Sequence, residues 1–238
     1  MTKEKDPREI RITKNGPYIV TGGIPLLEKN IVPKGKEYIY EEGGVLPQGE
    51  TYSLCRCGKT KTPPFCDGSH SEVGFCGEEK ASKASYEDRS KCLEGPTIDL
   101  MDDHRCALAR FCHRKSGDAW ELTLGSDLEG NRSEVITAAN ECPAGRITAV
   151  TKEGEIIEPE LPQEIIILQD VERNTSSGIY VQGYIPIRSV DGDYYEKRNR
   201  VVLCRCGKSS ITPFCDAKHI KAKFRDWEKE KEEKTPQD

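Results

Sequence analysis

A duplicated set of cysteines and histidines constrains this chain more than any other feature. Cys55, Cys57, Cys66 and His70 recur as Cys204, Cys206, Cys215 and His219, with one, eight and three residues between successive members in both copies. This layout suits metal ligation. Two cysteines one residue apart, leaving a strand, grip one iron, while the distal cysteine and histidine grip a second. The three-residue gap before each histidine spans one helical turn and puts both side chains on one face. Asp67 and Asp216 follow the distal cysteines, where each caps the turn or accepts the proton of a ligating histidine. Pro64–Phe65 and Pro213–Phe214 supply a stiff approach and an apolar lid. Each set is therefore expected to hold one [2Fe–2S] cluster with three thiolates and one imidazole. A Cys₃His zinc site is the alternative, although zinc motifs usually leave two or more residues between paired cysteines.

Composition points the same way. Of 238 residues, 35% are hydrophobic and 32% charged, so apolar material for a core is scarce and bound metal is an expected substitute. Eleven cysteines, an odd number gathered in tight groups, do not read as a disulfide framework. The polar start of the chain carries no signal-peptide stretch, and no apolar run approaches a membrane span. A reducing cytoplasm is the expected location. Between Ser85 and Asp170 eighteen acids face nine bases. That argues against a nucleic-acid partner and fits docking to a basic protein surface, or merely a solubilising one. Without a nucleophile–base pair, a phosphate-binding glycine loop or a carboxylate dyad, an enzyme is not expected.

The repeat extends beyond the ligands. Tyr18-Ile-Val-Thr-Gly-Gly-Ile-Pro-Leu26 matches Ile179-Tyr-Val-Gln-Gly-Tyr-Ile-Pro-Ile187, and each reads as a strand, a turn and a short strand. Further strands are expected at Thr51–Leu54 and Val201–Leu203, each ending on a Cys-Arg-Cys-Gly tetrad. The Gly-rich stretch Glu42–Gly49 reads as a surface loop. Between the copies, strands are expected at Thr97–Met101, Arg146–Val150 and Ile165–Leu168, with a short helix at Ser133–Asn140. The tail from Asp226 reads as a charged helix or a solvated, disordered end. Three domains follow: 1–84, 85–170 and 171–238.

Both ligand segments resemble the CDGSH iron–sulfur domain of the mitoNEET type. The first carries Cys66-Asp-Gly-Ser-His70 in full. The second departs at Ala217 and Lys218 but keeps all four ligands. The resemblance favours the clusters over zinc. It implies an α+β, β-rich fold in which two cluster-binding units pack through a β cap, here as an intrachain pseudo-dimer, with the strands around Gly22 and Gly183 forming that cap. A monomer is expected.

Cys92, Cys106, Cys112 and Cys142 lie in the middle unit. Cys106 and Cys112 after a strand, with Glu141-Cys142-Pro after a helix, resemble a single-cluster ferredoxin whose central ligand is replaced by Ala109. That likeness implies a small inserted ferredoxin-like domain. Its cluster would be a [3Fe–4S] held by Cys106, Cys112 and Cys142, or a [4Fe–4S] with Cys92 as fourth ligand. Buried structural thiols are the plainer reading. Cys76, His104 and His113 read as bystanders, and Trp120 and Trp227 as packing residues. Imidazole ligation raises a cluster's potential and couples reduction to protonation. The expected function is thus electron transfer to a redox partner protein. The alternatives are [2Fe–2S] storage or delivery to an apo-protein acceptor, and redox sensing for a partner enzyme.

Overall fold

The computed structural model describes residues 8–226. The first part contains β1 (Glu9–Ile12), β2 (Tyr18–Thr21), β3 (Leu26–Lys34), β4 (Glu37–Val45), β5 (Thr51–Leu54) and α1 (Ser69–Glu72). The middle contains α2 (Tyr86–Arg89), β6 (Lys91–Leu93), β7 (Asp99–Asp102), α3 (Ala119–Leu124), α4 (Asn131–Glu141), β8 (Ile147–Val150) and β9 (Ile156–Ile157). The last part contains β10 (Glu164–Asp170), β11 (Thr175–Gln182), β12 (Ile187–Arg188), β13 (Arg200–Leu203) and α5 (Lys218–Lys221). The fold is mixed α+β and rich in β-structure.

Alternation drives the short strands. β1 buries Ile10 and Ile12 and turns Arg11 outward, and β2 buries Tyr18 and Val20, as a two-residue repeat requires. The sheets run β12-β1-β2-β5, β13-β11-β10-β3-β4 and β6-β7-β8-β9. In the first two sheets the repeated halves exchange strands. β1 lies parallel to β12, with Ile10 opposite Ile187, and β10 lies parallel to β3, with Ile165 opposite Leu26. Parallel neighbours cannot be joined by a tight hairpin, so each half reaches its partner strand from a distance in sequence. Gly22 and Gly183 follow β2 and β11 directly, at the turns the repeat requires.

β10 explains how the middle unit attaches. Ile165 and Ile167 enter the core between the first two sheets, together with Ile10, Tyr18, Leu26 and Leu203. Ile166 and Leu168 point the other way, into a second core with Ala107, Ala109 and Phe111. A strand covered on both faces needs an unbroken apolar run, and Ile-Ile-Ile-Leu is one. The middle unit keeps its own core of Ile98, Leu100, Val135 and Ile147. The guanidinium of Arg200, fully buried on β13, donates to the carbonyls of Ala139 and Cys142 and pairs with Glu158 at 2.7 Å. It thus satisfies carbonyls left over at the end of α4 and fastens that helix to the second sheet.

Several expectations need correcting. Glu42–Val45 is not loop but the end of β4. The β3–β4 ladder shifts between Glu28 and Lys29, where Gly43 is the unmatched residue of a bulge. α3 was not anticipated, although Asp118 and Glu121 form a complete capping box at its start. Asp226 is buried rather than solvated, bonded to Ser176 and paired with Arg205. Trp227 and the rest of the expected tail lie outside the described residues.

Candidate metal-donor sites

Each strand that precedes a Cys-Arg-Cys tetrad delivers its first cysteine at the strand end. The loop that follows is closed by two backbone bonds. The Cys55 N–H donates to the Pro64 carbonyl at 2.8 Å, and the Cys66 N–H donates back to Ser53 at 2.9 Å. The second copy repeats this with Cys204 to Pro213 at 2.7 Å and Cys215 to Val202 at 2.8 Å. Asp67 caps the turn that follows by accepting from the N–H groups of Lys61 and Ser69. Asp216 does the same for Ser210 and Lys218. Neither aspartate serves as the histidine's proton acceptor. Ala217 adopts the left-handed backbone (φ 64°) that Gly68 holds in the first copy (φ 92°), so the turn survives the substitution.

The donors come together in twos. Cys55 and Cys57 sulfurs stand 3.7 Å apart, and Cys66 Sγ lies 3.3 Å from His70 Nδ1. The second copy gives 3.6 Å for Cys204 and Cys206 and 3.4 Å for Cys215 and His219 Nδ1. All eleven cysteines are free. In the second set the Ala217 N–H donates to Cys215 Sγ at 3.5 Å. Burial, followed by the charge of Cys55, pushes the Cys57 thiol up to about 11. In the second pair the contact between the two sulfurs lowers Cys204, and the same contact and burial raise Cys206. Burial, then Arg205, presses His219 down to about 4, which keeps its imidazole neutral with a lone pair free for a metal.

The two sites touch back to back. Gly58 (φ 71°) lies so close to Cys206 that an added Cβ would fall 2.7 Å from its carbonyl oxygen. Gly207 (φ 69°) faces the Cys57 carbonyl at 2.6 Å in the same sense. Tyr18, from the first copy, donates its hydroxyl to the Cys204 carbonyl at 2.8 Å.

Sequence reasoning missed the two arginines between the paired cysteines, although the repetition of Arg at that slot was a visible signal. Both are buried. Arg56 bonds the Gly77 carbonyl and lies over the rings of Tyr18 and Phe75. Arg205 bonds the carbonyls of Ser177 and Leu168 and pairs with Asp226. Each tetrad therefore carries a fixed cation that ties the cysteine loop to neighbouring backbone.

In the middle unit Cys106, Cys112 and Cys142 line one cavity with Phe111, Trp120 and Ile147. Cys142 follows α4 directly. Burial, then the charges of Cys142 and Cys106, lifts Cys112 to about 12, and burial raises Cys142. Leu108 and Arg110 are both left-handed, which curls the loop so that the Leu108 N–H donates to Cys106 Sγ at 3.3 Å. Cys92 is elsewhere, exposed on β6 with Asp99, Glu94 and Lys152 as its charged neighbours. Trp120 packs under Arg146 and donates to Asp102, and Cys76 is exposed.

Among the described residues, no group of three or more His, Cys, Asp or Glu side chains is placed to hold a metal ion. This overturns the expected [2Fe–2S] clusters at the two CDGSH-type sets and the expected [3Fe–4S] or [4Fe–4S] cluster of the middle unit. The expected electron carrier falls with them, as do the cluster-storage and redox-sensing alternatives. At the two CDGSH-type sets the physical reason is the pairing itself, because two donors close together and no third completes the shell of one ion; in the middle unit Cys92 lies on β6, away from the cavity that the other three cysteines line.

Two segments, residues 15–71 and 177–220, match the family model described as "Iron-binding zinc finger CDGSH type". The chain is thus similar to this family over two separate segments, which together make up less than half of it. In this protein the first region holds Cys55 to His70 and the second holds Cys204 to His219. No match supports a ferredoxin-like domain between them, where the structure shows a consecutive four-stranded sheet with α3 and α4. No curated protein and no solved structure matches the chain. Among the described residues, no helix is long and apolar enough to cross a membrane.

Proposed function

We propose that this protein is a non-catalytic iron-binding protein with twin sites, each built from one thiol pair and one thiol–imidazole pair. The observation that carries the reading is the repeated two-plus-two arrangement, with sulfurs 3.7 and 3.6 Å apart and sulfur–nitrogen distances of 3.3 and 3.4 Å. Thiolate and imidazole are donors that iron accepts, and the family description names iron.

Strand exchange between β1 and β12 and between β3 and β10 supports a monomer whose two regions form an internal pseudo-dimer. A partner with a basic face fits the acidic residues of the middle unit.

The test is anaerobic titration of metal-free protein with ferrous iron, read by bound metal and absorbance. Uptake of iron is expected, with Cys66→Ser lowering it. No uptake, or uptake that Cys66→Ser leaves unchanged, refutes the reading.

A further inference from the structure

Where the middle unit meets the second CDGSH-type region, a cavity runs inward from the exposed Ser82 and Ala84 to the buried ring of Phe214. Three half-buried arginines from distant parts of the chain line it: Arg89 at the end of α2, Arg105 in the loop after β7, and Arg198 just before β13. Packing holds each one in place. Arg105 lies over the Phe214 ring, 4.4 Å from its centroid, and donates to the Ser82 carbonyl at 2.8 Å. Arg198 lies over the Tyr86 ring at 3.6 Å. Arg89 pairs with Asp103 at 3.0 Å.

The cavity holds too little negative charge for these three. Lys83, on its rim, is paired outside it with Asp193 at 3.0 Å. The carboxylates that line it are Asp103 and Glu196. Asp103 is taken by Arg89 and stands 4.0 Å from Arg105. Glu196 accepts the Tyr86 N–H at 2.7 Å and lies 3.8 Å from Arg89. The Arg198 guanidinium bonds the Gly145 carbonyl and the Thr148 hydroxyl, at a long 3.3 and 3.4 Å, and neither is an anion. Burial, then the charge of Arg89, presses Arg105 down to about 10, as expected where positive charge is crowded and incompletely offset.

From this arrangement we infer that the cavity binds a small tetrahedral oxyanion of the phosphate or sulfate kind, held by Arg89, Arg105 and Arg198. No thiol or imidazole takes part, so the inference does not depend on the paired-donor reading. Guanidinium forks match oxyanions, and a tetrahedral ion offers four oxygens to three forks where a carboxylate offers two. The enclosed space is about 20 Å³, so the ion seats one oxygen inward and leaves the others at the open mouth. Since its three holders come from segments far apart in the sequence, the bound ion also fastens the middle unit to the second region.

The test is equilibrium dialysis of the full chain against radiolabelled phosphate at constant ionic strength. Saturable binding of about one ion per chain is expected. Sulfate should displace it, and chloride at the same ionic strength should not. Glycerol phosphate separates the sources: displacement assigns the phosphate group of a larger molecule, and no displacement assigns the free ion. Arg198→Gln should weaken binding roughly tenfold or more. Arg173→Gln, at an exposed arginine outside the cavity, should leave it unchanged. A second measurement needs no variant. Phosphate should slow the modification of Arg198 by phenylglyoxal, and not that of Arg173, as read by mass spectrometry of the peptides. Unsaturable uptake, displacement by chloride as effective as by sulfate, equal weakening in the two variants, or an Arg198 modification rate that phosphate leaves unchanged overturns the inference.

Discussion

Replacing Gly58 by alanine should cost far more than its exposure near a surface loop suggests. The residue is left-handed (φ 71°), and a Cβ would meet the Cys206 carbonyl oxygen at 2.7 Å and its carbon at 2.9 Å. Left-handed backbone costs an ordinary residue about 1–2 kcal/mol. Forcing backbone apart in a packed contact costs about 1–3 kcal/mol more. Together these give about 2–5 kcal/mol, against a total stability of about 5–15 kcal/mol for a typical protein. Gly68→Ala provides the control. Gly68 is also left-handed (φ 92°) but has nothing within 4 Å of the added atom, and Ala217 already occupies the matching place in the second copy. Only the backbone term should appear there. The assay is urea unfolding followed by circular dichroism on metal-free protein. Gly207→Ala should behave like Gly58→Ala, because it presses on the Cys57 carbonyl from the other side. The double variant should cost less than the two singles together by more than about 0.5 kcal/mol, since one change already separates the shared contact. A Gly58→Ala cost equal to that of Gly68→Ala would refute the back-to-back packing of the two sites.

Two further outcomes are expected. Arg110→Met leaves Asp170 buried without its partner, so the thermal midpoint should fall by the equivalent of about 3–5 kcal/mol, and Asp170→Asn in the same chain should recover part of the loss. Burial alone would raise the Asp102 carboxyl, but bonds from the Arg146 guanidinium and the His104 N–H hold it below its ordinary value. The stability this adds is present above the unfolded carboxyl range near about 3.9 and is lost as pH falls through the lower folded value. Asp102→Asn should therefore flatten the acid limb of the stability–pH curve measured by urea unfolding. An unchanged acid limb would show that Arg146 does not act on this group.

Much of the local chain was legible. Thr51–Leu54 is a strand as read, and Ser133–Asn140 lies inside α4, because each obeys its own periodicity within a few residues. The end of β4 was illegible because glycines disfavour strands in isolation, while pairing with β3 and a bulge at Gly43 accommodate them. α3 was missed despite a readable Asp-x-x-Glu start, because its six residues show too little periodicity.

The amino-acid order alone determined which side chains can pair. One residue between Cys55 and Cys57, and three between Cys66 and His70, fix contacts within a turn or a strand end, where covalent geometry leaves little choice. The tertiary structure alone decided that the halves trade strands, that the tetrads meet through Gly58 and Gly207, and that one histidine faces a cavity while its twin is sealed. Those outcomes depend on surfaces brought together across more than a hundred residues, and burial at such contacts is a property of both partners rather than of either segment.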